Sequence, residues 1–157
     1  MDSYKPYERI QREVIGAEPN LFRQVEFKNE ILLTDSVRGV YIPKKNIIID
    51  LRKIKEIEEE FSIISPDTNF KTKKASLNPE SILKNSEIGV EMERHYEHIK
   101  FVTKTGKYAW INSYKRKIFG TKVRFYVQDK DLPLLVTNGR KKAVGIILPA
   151  MKVKEED

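Results

Sequence analysis

The stretch from Tyr108 to Val153, YAWINSYKRKIFGTKVRFYVQDKDLPLLVTNGRKKAVGIILPAMKV, sets how the rest of the chain is read. A short strand, Tyr108–Ile111, enters a helix over residues 113–119 that Asn112 or Ser113 caps. Gly120 stops it, being the residue best able to take a left-handed conformation. A strand follows over Thr121–Val127. The break Gln128-Asp129-Lys130-Asp131 turns the chain into Leu134–Thr137, and Asn138-Gly139 turns it into the apolar run Ala143–Leu148, closed by Pro149. Strand, helix and three antiparallel strands thus fit in one compact unit.

The same order of signals opens the chain. Tyr7, Ile10 and Val14 recur on one face of a helix that begins near Pro6 and stops at Gly16. After it come Val25-Glu26-Phe27, Ile31–Thr34, the break Asp35-Ser36-Val37-Arg38-Gly39, and Val40-Tyr41-Ile42 closed by Pro43. Gly16 answers Gly120, Val25-Glu26-Phe27 answers Val123-Arg124-Phe125, Leu32-Leu33-Thr34 answers Leu135-Val136-Thr137, and Ile42-Pro43 answers Leu148-Pro149. The interval from Gly to Thr is 18 residues in the first set and 17 in the second. This reads as a degenerate internal duplication, with two unrelated hairpins as the alternative.

With its NSYKRKIF helix, DLPLLVT strand and terminal IILPAM, the Tyr108–Val153 segment resembles the closing half of a DNA sliding-clamp domain. The N-terminal ILLTDSVRG is similar to the element that closes the opening half. The resemblance covers residues 4–43 and 108–153. It implies an α+β, DNA-clamp-like fold with two pseudo-repeated units of helix plus antiparallel sheet in a single domain. Repeat one spans about 4–46, an inserted middle region about 47–95, and repeat two about 99–153, followed by an acidic tail at 154–157. Clamp rings contain six such domains, so the resemblance also implies either a homo-oligomer or a lone domain that keeps the fold without the ring.

At 157 residues the chain suits one domain around one core. It has no cysteine, which excludes disulfide and thiolate chemistry. There is no leader-like segment and no apolar run of membrane-spanning length, so a cytoplasmic protein is expected. A formal net charge of +7 favours polyanionic partners, although a Lys-rich soluble surface produces the same sum. This charge is unlike that of typical clamps, whose outer surface is acidic.

Position says more than sum. At 100° per residue, the side of the first helix opposite Tyr7, Ile10 and Val14 carries Arg9 and Arg12, with Lys5 in line just before it. In the second helix Tyr114 and Ile118 mark the buried stripe, which sets Arg116 opposite and Lys115 and Lys117 on the shoulders. A solvated face is the plain reading of such charges. In clamps the corresponding helices line the channel and touch the phosphate backbone, so the resemblance implies that Lys5, Arg9, Arg12, Lys115, Arg116 and Lys117 contact duplex DNA.

In the middle region, Ile47–Leu51 has the composition and length of a strand. Leu51, Ile54, Ile57 and Phe61 then recur at helical spacing and predict an amphipathic helix, with continued strand pairing as the alternative. Residues 65–87 read as a loop in which Asn78-Pro79 starts a helical turn over Glu80–Lys84, and Lys71, Lys73 and Lys74 are further candidates for phosphate contact. Residues 88–111 read as strands, with Thr105-Gly106 as a turn. Glu93, His95, Glu97 and His98 form the one metal-like grouping, but a strand would send the two histidines to opposite faces, so no metal is expected. Tyr108, Trp110 and Tyr114 are expected in the core, with stacking on bases as the alternative. No nucleophile, acid–base pair or phosphate loop stands out, so neither an enzyme nor a cofactor is expected.

The first functional expectation is a non-enzymatic, DNA-associated, replication accessory or processivity-type protein, with replication proteins as further partners and no membrane contact. The other is a protein-interaction module of a mobile element that binds or mimics replication machinery. For ring assembly, the sheet edges are expected at Val123–Val127 and Val25–Phe27.

Overall fold

The computed structural model describes residues 5–17, 19–35, 37–64 and 69–150, with backbone only at 63, 64, 69 and 70. The chain starts with helix α1, Pro6–Gly16, which has its proline in the first turn, where the missing N–H costs nothing. Ile10, Gln11 and Val14 are buried beneath it. Strands β1 (Arg23–Glu26), β2 (Glu30–Thr34) and β3 (Arg38–Pro43) then form an antiparallel meander. The turn between β2 and β3 explains the Thr-Asp-x-x-Arg pattern. Asp35 Oδ1 accepts from the Val37 and Arg38 amides at 2.8 and 2.9 Å. The Arg38 guanidinium reaches back to Glu13 of α1 at 2.7 Å, which ties helix to meander.

Downstream lie β4 (Lys55–Glu56), β5 (Glu60–Ile64), β6 (Asn69–Lys73), helix α2 (Pro79–Lys84), β7 (Glu87–His95), β8 (His98–Val102) and β9 (Tyr108–Asn112). A 3-10 helix over Lys115–Phe119 leads into a second meander of β10 (Val123–Val127), β11 (Leu134–Asn138) and β12 (Ala143–Ile147). Because β12 pairs with β3, the two meanders join in one ten-stranded sheet of order β4-β1-β2-β3-β12-β11-β10-β7-β8-β9. All its pairings are antiparallel except β1 with β4, and β5–β6 forms a separate hairpin. The fold is therefore α+β. From β12 to β9 the sheet curls. A bulge between Glu91 and Glu93 bends β7, and the Ala150 amide donates to the Trp110 carbonyl at 2.8 Å, so β9 returns beside the segment that follows β12.

Across β2, β3, β11 and β12 both faces of the sheet are buried, and the alternation along each strand sorts its side chains between them. Leu33, Val40, Ile42, Leu134, Val136 and Ile147 join Ile10, Val14, Ile118 and Phe119 in one core, to which the curled strands add Ile99, Phe101 and Ile111. Leu32, Tyr41, Leu135 and Ile146 point the other way, onto Ile57, Phe61, Leu77 and Ile82. Helix α1 and the 3-10 helix therefore lie on the same face of the sheet, in contact with each other, and α2 lies on the opposite face.

The middle region corrects the sequence reading. Residues Ile47–Asp50 form no strand, Leu51–Lys53 is a single 3-10 turn, and the helical spacing through Phe61 does not make a helix. The chain is instead passing round the β1 edge of the sheet. Ile54 belongs to the first core, whereas Ile57 and Phe61 belong to the second, so the apolar spacing records a change of face. Gln24 fixes the crossing through its side-chain amide, which donates to the carbonyls of Leu51 and Ile54 at 2.7 and 2.8 Å. The expected turn after Asn78-Pro79 is α2, and Asn78 Oδ1 caps it by accepting from the Glu80 amide at 2.9 Å. Strand β10 is not an edge, because β7 and β11 flank it; β4 and β9 are the outer strands. The tail at 154–157 lies outside the described residues.

Candidate nucleic-acid interface

On α1, burial of Ile10 and Val14 turns Lys5, Arg9 and Arg12 to the exposed side, as the periodicity predicts. Lys5 sits 3.9 Å from Glu8, a solvent-exposed pair of small energetic weight.

The second basic segment differs from expectation for a geometric reason. Asn112 Oδ1 accepts from the Tyr114 amide at 2.9 Å, and the following turns close in three residues, Lys117 N–H to the Tyr114 carbonyl and Gly120 N–H to the Lys117 carbonyl. Gly120 ends the helix at φ 75°, outside the range most residues adopt. In a 3-10 helix, positions i and i+3 eclipse, which pairs Tyr114 with Lys117, Lys115 with Ile118 and Arg116 with Phe119. Ile118 and Phe119 are buried, so Lys115 and Arg116 beside them are half-buried, and Tyr114 and Lys117 stand outside. Tyr114 is therefore not part of a buried stripe. It is 60% exposed, with Lys117 Nζ 4.7 Å from its ring centroid. Arg116 lies 3.7 Å from Glu91.

Beside this segment is a cleft of about 1050 Å³ to which no sequence motif points. Arg94, Arg116, Lys117 and Arg124 line it together with Tyr96 and Tyr114, and the carboxylates present are Glu91 and Glu97. Glu91 lies between Arg94, at 3.6 Å, and Arg116, and so holds both guanidiniums at the wall. One backbone hydrogen bond joins the two rims: the Ser113 amide donates to the Glu97 carbonyl at 2.7 Å. The local signal is Arg94-His95-Tyr96, in which the histidine suggests a metal ligand while the cation and the exposed ring on either side of it line the cleft.

His95 and His98 sit on paired strands directly opposite each other, not along one strand. Among the described residues no group of three or more His, Cys, Asp or Glu side chains is placed to hold a metal ion. Lys71 is engaged by Glu60 at 3.1 Å on the β5–β6 hairpin. Trp110 is buried, as expected, and Tyr108 is partly covered, with Lys100 Nζ 4.6 Å from its ring centroid. Arg140, Lys141 and Lys142 form a further exposed basic turn between β11 and β12. No helix among the described residues is long and apolar enough to cross a membrane.

No family model matches this chain, and no match was found among curated proteins or solved structures.

Proposed function

We propose that this chain is a clamp-like, non-enzymatic protein that associates with duplex DNA through the outer face shared by α1 and the 3-10 helix. The carrying observation is that these two basic segments pack side by side on one sheet face, with Arg9, Arg12 and Lys117 turned outward. Phosphate contacts of this kind orient a duplex without reading its bases. The site would therefore suit an accessory role in replication, where the grip has to be independent of sequence.

The pairing pattern supports an internal duplication. Val40 pairs with Gly145 across the seam between the two meanders. Leu33 pairs with Val40 as Val136 pairs with Gly145, and Gln24 pairs with Leu33 as Phe125 pairs with Val136. A twofold axis through the Val40–Gly145 pair would exchange these residues and keep each on its own face. Leu32-Leu33-Thr34 then answers Leu135-Val136-Thr137, as in the sequence. The other matches shift, so that Val25 answers Tyr126 and Ile42 answers Ile147, because a bulge between Val136 and Thr137 and unequal loops offset the strings.

The second reading, a protein-interaction module, has its own observation. Ile88, Val90 and Met92 form an alternating apolar row on β7, with exposures of 37, 59 and 66%. Such a row favours a protein partner over a polyanion.

Charge reversal separates the two. The variant Arg9→Glu, Arg12→Glu, Lys117→Glu is expected to lose at least tenfold in affinity for a random-sequence duplex at low salt. Unchanged affinity would leave these cations as solubilising residues and favour the protein-binding reading.

A further inference from the structure

We propose that the cleft between the β7–β8 turn and the 3-10 helix binds single-stranded nucleic acid, with Tyr96 and Tyr114 stacking on unpaired bases and Arg94 and Arg116 meeting the backbone phosphates. The site adjoins the duplex face at Lys117, which borders both, but rests on other residues and does not depend on duplex binding being correct.

Tyr96 supplies the first argument. His95 pairs with His98, so Tyr96 and Glu97 form a two-residue hairpin loop in which Tyr96 takes φ 56°. Glycine accepts that conformation at no steric cost, whereas an aromatic side chain strains it. The ring recovers little by burial, since Tyr96 is 85% exposed and its contact within the fold is an edge-to-face pair with His95 at 4.8 Å between centroids. The turn explains the positive φ but not the choice of an aromatic residue there, and the ring stands at the rim of the cleft, where a ligand would meet its face.

Tyr114 is the second exposed ring on the same cleft, and Lys117 lies over it. The hydrogen bond from the Ser113 amide to the Glu97 carbonyl fixes the residue before Tyr114 to the residue after Tyr96, so the two rings are mounted on one rigid junction. Between them the wall carries four cations, Arg94, Arg116, Lys117 and Arg124, against two carboxylates, Glu91 and Glu97. Aromatic rings interleaved with cations in a groove are the chemistry that takes a strand by its base faces and its backbone together. Single strands are specified because a duplex hides its base faces in the stack.

The test uses fluorescence anisotropy with labelled oligothymidylate, oligouridylate and a random-sequence duplex. Tyr96→Ala/Tyr114→Ala should weaken binding of at least one single strand by about tenfold or more, the loss measured for stacked bases in other proteins. Tyr96→Phe/Tyr114→Phe keeps the ring faces and should retain the affinity. The duplex affinity should stay unchanged in both variants, which separates this site from the basic face of α1. Absence of single-strand binding by the parent, unchanged binding in the alanine variant, or an equal loss on the duplex would each overturn the proposal.

Discussion

Gly145 lies directly under the ring of Phe119 and against the carbonyl oxygen of Gly39, leaving no room for a Cβ. The 3-10 helix therefore rests on the seam between β3 and β12, where the two meanders meet. A methyl group at Gly145 would force either the ring or the seam apart. Gly145→Ala should destabilise the protein by about 1–3 kcal/mol in urea unfolding, the usual cost of overpacking. Gly139→Ala is the matched control: a Cβ there would meet nothing within 4 Å, so stability should change by less than about 0.5 kcal/mol.

Gln11 is buried on α1 and satisfies three backbone groups. Its amide donates to the carbonyls of Tyr7 and Asn46 at 2.8 and 3.1 Å, and its oxygen accepts from the Ile48 amide at 2.7 Å. Gln11→Leu strands the Asn46 and Ile48 groups and should cost about 1–3 kcal/mol. Hydrogen exchange should show the loss first at the Ile48 amide.

Tyr41 is buried, and its hydroxyl donates to the Leu77 carbonyl at 2.7 Å, anchoring the segment before α2 to the second sheet face. Burial, followed by the nearby charge of Glu30, pushes its pKa well above the ordinary value near 10. The native state therefore resists ionisation that the unfolded state undergoes. The contribution of Tyr41 is complete below about pH 10 and declines as pH rises above it. Tyr41→Phe should cost about 1 kcal/mol at neutral pH and should remove this part of the alkaline loss in a comparison of urea midpoints at pH 8 and above pH 10.

Relief of backbone strain gives a prediction of the opposite sign. Tyr96→Gly removes an exposed side chain from a left-handed position and should raise stability by about 1 kcal/mol. The same substitution should weaken single-strand binding, so function and stability would move in opposite directions at one residue.

The sequence made the two meanders and α1 legible because their apolar residues follow the strand and helix periods and end at Gly, Asn or Pro. It misled where one spacing had two physical causes. Ile54, Ile57 and Phe61 are spaced like a helix face, yet they are spread over both sides of the sheet as the chain rounds its edge. In the basic segment after Asn112, a period of three instead of 3.6 moves Tyr114 out of the core and leaves Lys115 and Arg116 half-buried. The cations of α1 are visible because an α-helix projects as a wheel. The cleft is not, because it joins the β7–β8 turn to Tyr114 through a hydrogen bond between Ser113 and Glu97 that no local pattern announces.

The most direct test of the proposed duplex grip is the salt dependence of binding by the unmodified protein to two duplexes of unrelated sequence. Contacts from α1 and the 3-10 helix to several phosphates predict a log–log slope of roughly −3 to −5, at about −0.9 per phosphate, with the same value for both sequences. A slope near zero, or no binding to either duplex at low salt, would contradict it.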